Sequence, residues 1–253
     1  SKITAIHSLG DIWAMGSDPD IALINIIIPE SSNEIQKRTI EEVIDGANSV
    51  FTAEGVKIVG GHTSLGKERV IGFTLAGVSK KQPKTLDKAR VGDQIILTKP
   101  LGSGVLLAGE MRFEGEAHDF KDLLDEMSKS QSSIAKVLSK VANAMTDITG
   151  FGLAGHLLNI VSHSNVAAKV FLDQIPVYSG VNSLIAKGIR SSIFDNNYSY
   201  SEKMFINTMA NPDILFDPQT AGPLMATIPK GQVKDVIAAG EKLGFECSLI
   251  GEL

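Results

Sequence analysis

Apolar residues recur along the chain at two spacings, and the switches between them mark out its elements. From Lys2 to Met15 the spacing is helical: at about 100° per residue, Ala5, Ile6, Leu9, Ile12 and Trp13 share one arc. His7 and Asp11 fall together on the opposite side, so Asp11 is an acid presented away from the core, as a solvated surface aspartate would also be. Ile21 to Ile28 is β-branched and apolar almost throughout, the pattern of a strand buried on both faces. Ser31-Ser-Asn-Glu34 has capping-box spacing. It opens a helix with Ile35, Ile40, Val43, Ile44, Ala47, Val50 and Phe51 on its apolar side, closed by Gly55. A short strand, Val56 to Val59, leads into a loop, Gly60-Gly-His-Thr-Ser64. A further strand, Arg69 to Val78, places Val70, Gly72, Thr74, Ala76 and Val78 on one face.

The polar stretch Lys80 to Gly92, with Pro83, reads as a boundary and divides the chain into domains 1–85 and 86–253. Beyond it a strand, Gln94 to Lys99, runs into Pro100-Leu-Gly-Ser-Gly104. Helical spacing follows to Met111, from Phe120 to Met127 and from Ile134 to Val141. Ala167 to Leu172 reads as a strand, Val181 to Lys187 as a helix and Ser191 to Tyr200 as a long loop. Asp213 to Phe216 and Leu224 to Ile228 read as strands flanking Asp217-Pro-Gln-Thr-Ala-Gly222. An amphipathic helix, Lys230 to Leu243, precedes a last strand, Ser248 to Ile250. Such alternation predicts mixed α/β or α+β domains.

The composition narrows what such a protein can do. Of 253 residues, 43% are hydrophobic and 21% charged, values of an ordinary globular protein. A net charge of −5 and the lack of any basic run argue against a nucleic-acid surface. No apolar stretch reaches membrane-spanning length, and no signal-peptide pattern stands at the start. The single cysteine, Cys247, excludes an internal disulfide and fits a reducing, cytoplasmic compartment. Lying in a strand-like run, it reads as a small buried hydrophobe rather than a nucleophile. The chain begins on Ser1 in what looks like mid-helix, so a preceding segment is expected.

Candidate chemistry concentrates in Ala144-Met-Thr-Asp-Ile-Thr-Gly-Phe-Gly-Leu-Ala-Gly-His156. Gly150 and Gly152 let the backbone approach a ligand, and the start of the helix that follows favours negative charge. A lone carboxylate, Asp147, would repel a phosphate there unless a divalent metal lay between them. Mg²⁺ is held in this way, by one or two carboxylates plus substrate phosphates. Gly150 to Gly155 is also a formal G-x-G-x-x-G, followed by Val170-Phe-Leu-Asp173, the dinucleotide fingerprint. The segment before it, Ala142 to Asp147, is too short and polar for the buried first strand that this fingerprint requires. In the second loop Gly60, Gly61, His62 and Thr63 could offer N–H and O–H groups to phosphate oxygens, although a tight hairpin would use the same residues. His62 has no second histidine at metal-ligand spacing.

Five motifs in order extend the picture: Gly10-Asp-Ile-Trp-Ala-Met-Gly16, Gly60-Gly-His-Thr63, Leu97-Thr-Lys-Pro-Leu-Gly-Ser-Gly104, Met145 to His156 and Phe216-Asp-Pro-Gln-Thr-Ala-Gly222. Over essentially the whole chain they resemble the selenophosphate synthetases (selenide, water dikinases), in particular the variety fused behind a flavin-dependent oxidoreductase. The resemblance implies a two-domain α+β fold of the aminoimidazole-ribonucleotide synthetase type, whose first domain joins a partner's in the barrel of a homodimer. It implies conversion of ATP, selenide and water to selenophosphate, AMP and phosphate. It also implies Asp11 and Asp147 as ligands of Mg²⁺ bridging the ATP phosphates, with Gly60 to Thr63 beside them. The family's nucleophilic cysteine or selenocysteine, its lysine and further metal-binding aspartates would lie upstream of Ser1, so the chain as given is not expected to make selenophosphate. Two departures stand out. His7 replaces an asparagine in the family's Asn-Ala-Leu-Ser-Asp, and Pro223 replaces a glycine. They leave room for a catalytically silent nucleotide- or partner-binding homologue, and a purine-precursor or thiamine-phosphate member of the superfamily is a further alternative.

Overall fold

The computed structural model describes residues 1–205 and 211–253. The chain opens with helix α1 (Lys2–Ala14), strand β1 (Asp18–Pro29), helix α2 (Asn33–Ala53) and strands β2 (Lys57–Gly66) and β3 (Val70–Val78). These strands form a sheet in the order β2-β1-β3, with β1 parallel to β2 and antiparallel to β3. Helix α1 packs on β3 and α2. Phe51 of α2 meets Phe73 of β3 edge to face, with centroids 5.0 Å apart.

Three expectations for this half change. Burial alternates along β1: Ala22, Ile24, Ile26 and Ile28 are buried, whereas Ile21 and Leu23 are 36% and 47% exposed. The helices cover one face only, so the second apolar face stays open in the single chain. The cap of α2 is Ser32, one residue later than the capping-box spacing suggests, and its side chain accepts from Ile35 N. Gly60 to Thr63 lie within β2 rather than in a loop, paired with Leu23 to Ile26 of β1 after a bulge at Val59. Gly61 has to be glycine, because a Cβ there would meet the Ile24 carbonyl oxygen at 2.1 Å.

The second half contains β4 (Asp93–Leu97), α3 (Ser103–Met111), α4 (Ala117–Met127), α5 (Ser132–Val141), β5 (Ala144–Asp147), α6 (Gly152–Ser164) and β6 (Lys169–Val170). It continues with α7 (Val181–Ala186), α8 (Phe194–Tyr198), β7 (Leu224–Pro229), α9 (Val233–Lys242) and β8 (Ser248–Glu252). The strands form one sheet, β5-β7-β4-β8-β6, with every neighbouring pair antiparallel. The mixture of helices with these two sheets bears out the predicted α+β class. Central β4 is buried at every residue. Phe194 to Tyr198 is helical where a loop was expected, and Pro212–Phe216 is a 3₁₀ turn rather than a strand. There Pro212 fixes φ, and the Asn211 side chain accepts from Asp213 N. The expected strand 167–172 shrinks to Lys169–Val170, which pair with the end of β8. One apolar core runs without a break from Ile6, Leu9 and Trp13 of α1 to Ile95, Leu97 and Ile250. No helix among the described residues is long and apolar enough to cross a membrane.

Candidate functional site

Asp147 closes β5, which is short but largely buried and therefore a true strand despite its polar sequence. β5 runs antiparallel to β7 at the edge of the sheet, whereas a dinucleotide fingerprint needs a parallel βαβ unit. Beyond Asp147 the backbone turns sharply into α6. Ile148 N donates to Pro223 O at 2.8 Å, and Thr149 N donates to His156 Nε2 at 3.0 Å. Burial holds His156 neutral, pushing its pKa down to about 4, so Nε2 is free to accept and its proton sits on Nδ1, facing Thr146 Oγ1. His156 thus fixes the turn that carries Asp147, a task that no spacing along the chain would single out.

Helix α1 lies directly against this turn. A Cβ on Gly10 would come within 2.8 Å of Asp147 Oδ2, so only glycine lets the carboxylate rest on the helix. The next residue, Asp11, is exposed, and its charge reaches Asp147. Burial first, and the Asp11 charge second, push the Asp147 carboxyl up to about 7. Two acids far apart in sequence therefore meet at one place, with the Asp11 charge disfavouring ionisation of Asp147. Two carboxylates held in this way are hard oxygen donors and fit Mg²⁺, which takes its remaining ligands from water or phosphate. Among the described residues no group of three or more His, Cys, Asp or Glu could hold a metal by itself.

The other expected site residues are distributed differently. Gly150 is open in its Cβ direction, and its carbonyl accepts from Asn197 Nδ2 at 2.8 Å. Gly152 has φ +65°, and its missing Cβ faces the carbonyl oxygens of Leu215 and Asp217, which makes it a packing glycine. Gly60, Gly61, His62 and Thr63 stand on edge strand β2, which packs chiefly on β1 and α2 rather than on the helix that carries Asp11. An edge strand leaves alternate backbone groups unpaired, so N–H donors remain there although the loop does not exist. A cleft of about 670 Å³ between the two halves is lined by Trp13, Glu54, Lys80, Lys136 and several serines, and neither Asp11 nor Asp147 is part of its lining.

The turn Asp217 to Pro223, visible in the sequence as a motif, has a bonding role that sequence spacing missed. Gln219 Oε1 accepts from Gly102 N, Ser103 N and Ser103 Oγ at 3.1–3.2 Å, and Asp217 Oδ2 accepts from Gly104 N, so two side chains cap α3 from a distance. Gln219 N donates to Thr149 O, and Ala221 N donates to His7 Nδ1, both at 2.9 Å. Lys99, expected only as part of a motif, is buried and donates to the Glu126 and Lys129 carbonyls at the end of α4.

Residues 1–79 match the family described as AIR synthase related protein, N-terminal domain, and residues 90–253 match its C-terminal domain. The selenide, water dikinase of Haemophilus influenzae is 32% identical over 256 residues, covering all of this chain and 73% of its own length. That of Bordetella bronchiseptica is 33% identical over 258 residues, covering all of this chain and 74% of its own. The chain belongs to the selenide, water dikinase family. Members of this family are phosphotransferases, and the result agrees with the resemblance carried by the five motifs. Among solved structures, thiamine-monophosphate kinase from Stenotrophomonas maltophilia superposes with a TM-score of 0.76 at 21% identity, covering 99% of this chain and 76% of its own. The hydrogenase maturation protein HypE of E. coli does so with 0.76 at 16%, covering 99% and 72%. At these identities the likeness extends to the fold alone, and it bears out the expected two-domain synthetase-type architecture.

Proposed function

We propose that the chain forms the nucleotide-binding body of a selenide, water dikinase that turns ATP, selenide and water into selenophosphate, AMP and phosphate. The observation that carries this reading is the approach of Asp11 and Asp147 beside a glycine-rich helix start. The pair would hold Mg²⁺, which supplies charge neutralisation between the carboxylates and the phosphates. Asp147, carried by β5 and the His156-braced turn, keeps one oxygen donor fixed, while exposed Asp11 is free to meet the solvent side. The N-terminus of α6 favours the phosphate chain, and outward N–H groups of β2 at Gly60 to Thr63 are further donors. A HypE structure is described as a complex with ATP, in keeping with a nucleotide site in this fold.

Cys247 takes no part in the reaction. It is buried, and burial pushes its thiol up to about 11, so no useful thiolate exists at neutral pH. The departures at His7 and Pro223 do not favour a silent homologue. His7 accepts from Ala221 N, and Pro223 contributes its carbonyl to Ile148 N, a bond that needs no donor from the proline. The open face of the first sheet, with Ile21, Leu23, Val70 and Val78 exposed, supports a homodimer.

Titration calorimetry of a non-hydrolysable ATP analogue with and without Mg²⁺ tests the metal site. Binding is expected with the metal only, and Asp147→Asn should abolish it. Equal affinity in the absence of divalent cations would count against the assignment.

A further inference from the structure

We propose that His7 is a positioning residue for the carboxylate pair, joining the turn Asp217 to Pro223 to helix α1 and so setting the approach of Asp11 to Asp147. The inference rests on the reading of that pair as the metal site. The turn is already bonded to the residues that follow Asp147: Pro223 O takes the Ile148 N–H at 2.8 Å, and Gln219 N donates to Thr149 O at 2.9 Å. It is also tied to the second sheet and its helices, through Gln131 Nε2 on Gly222 O and through the α3 cap. Its bond to α1 is made by one side chain, with Ala221 N donating to His7 Nδ1 at 2.9 Å.

The geometry of α1 gives that bond leverage. His7 and Asp11 are four residues apart, one turn along the same face of the helix, and Gly10 rests on Asp147. The remaining contacts of α1 with its surroundings are largely apolar, through Ile6, Leu9 and Trp13. Apolar packing is non-directional and tolerates a small slide along the helix axis, whereas a hydrogen bond does not. Ala221 is itself held in the left-handed region at φ +47°, a conformation an alanine keeps only where its surroundings impose it. Burial keeps His7 neutral, against the pull of the Asp11 charge, so Nδ1 keeps its lone pair and the ring proton sits on Nε2. An asparagine can put its Oδ1 close to where a histidine places Nδ1, so the acceptor and not the ring is the required feature.

The test compares His7→Asn and His7→Phe with the unaltered 253-residue chain. Phenylalanine keeps the ring volume and deletes the acceptor. Three quantities are measured: the Kd of the Mn²⁺–ATP analogue complex by calorimetry, the metal-free melting temperature, and the ¹⁵N shifts of the His7 ring. The wild-type ring should show an unprotonated Nδ1 and a protonated Nε2. His7→Phe should weaken binding about tenfold, the size of one lost hydrogen bond. His7→Asn should restore it to within about threefold, on the same reasoning. A protonated Nδ1 in the wild type overturns the proposal without recourse to any variant. Unchanged affinity in His7→Phe, with binding lost in Asp147→Asn, overturns the role of His7 alone. Unchanged affinity in both overturns the metal-site reading beneath it.

Discussion

Asp147 is costly to the metal-free protein, and the cost depends on pH with a definite sign. Its carboxyl titrates near 7 in the folded chain, against about 4 for an unperturbed aspartate. Between those values the folded state binds more protons than the unfolded one, so the contribution of Asp147 to stability falls as pH rises through that window. Asp147→Asn removes the penalty. Its metal-free melting temperature should match wild type near pH 4 and exceed it by roughly 5 °C at pH 8, where the buried charge is fully developed. A variant that melts below wild type at pH 8 would show that the carboxylate is stabilised by contacts other than those seen. On the proposed function a divalent cation should reverse the balance, because it would bind the ionised form. Its affinity should therefore fall as pH drops below about 7, the value near which Asp147 titrates. On the proposed function, Asp147 gives up stability for metal binding. Asp147 could be picked out in the sequence because it lies in a glycine-rich motif with a physical meaning, whereas Asp11, which reads equally as a surface acid, stands out only through the family resemblance. His7 could be picked out only as an oddity, since its partner, Ala221, lies 214 positions away.

At the scale of elements, α3 shows how a motif can be legible while its purpose is not. Leu-Gly-Ser-Gly104 reads as a turn before a helix, and Asp217 to Gly222 reads as another turn. What sequence spacing could not show is that the second turn caps the first turn of α3 across 117 positions. Gln219→Ala should leave three donors at Gly102 and Ser103 facing a void, at a cost of about 2–4 kcal/mol by urea denaturation. Gly104→Ala should also be poorly tolerated, because its methyl would meet Asp217 Oδ1 and Pro218 O at 2.5 Å. Strand β2 is the opposite case. Glycines read as breakers, yet Gly60 and Gly61 continue the strand, because close parallel pairing with β1 leaves no room for a side chain at Gly61. β1 was legible as a strand from its apolar run, but which face would stay open depends on what packs beside it, and no periodicity carries that information.

At the scale of the whole molecule, the described residues form two unequal sheets. The second is enclosed by helices, whereas the first exposes apolar side chains of β1, β2 and β3. Leu23 stands opposite Thr74 on that open face, 47% exposed, with no role in the monomer's core. Leu23→Asp should therefore leave the melting temperature of the monomer within about 2 °C, as surface changes usually do. Multi-angle light scattering of the wild type should give a dimer at micromolar concentration, and of the variant a monomer. A monodisperse wild-type monomer would remove the case for association through this sheet.

Cys247 allows the opening of the closed sheet to be timed. Its sulfur fills the space beside Gly240, so close that a methyl there would meet it at 2.5 Å, and thus lies sealed between α9 and the start of β8. A thiol reagent can reach it only when helix and strand separate, and the chain has no second cysteine to blur the signal. The labelling rate at low denaturant therefore counts openings of this corner one by one. Should saturation with Mg²⁺ and an ATP analogue slow that rate in proportion to the stabilisation measured by melting, site and corner open as a single cooperative unit.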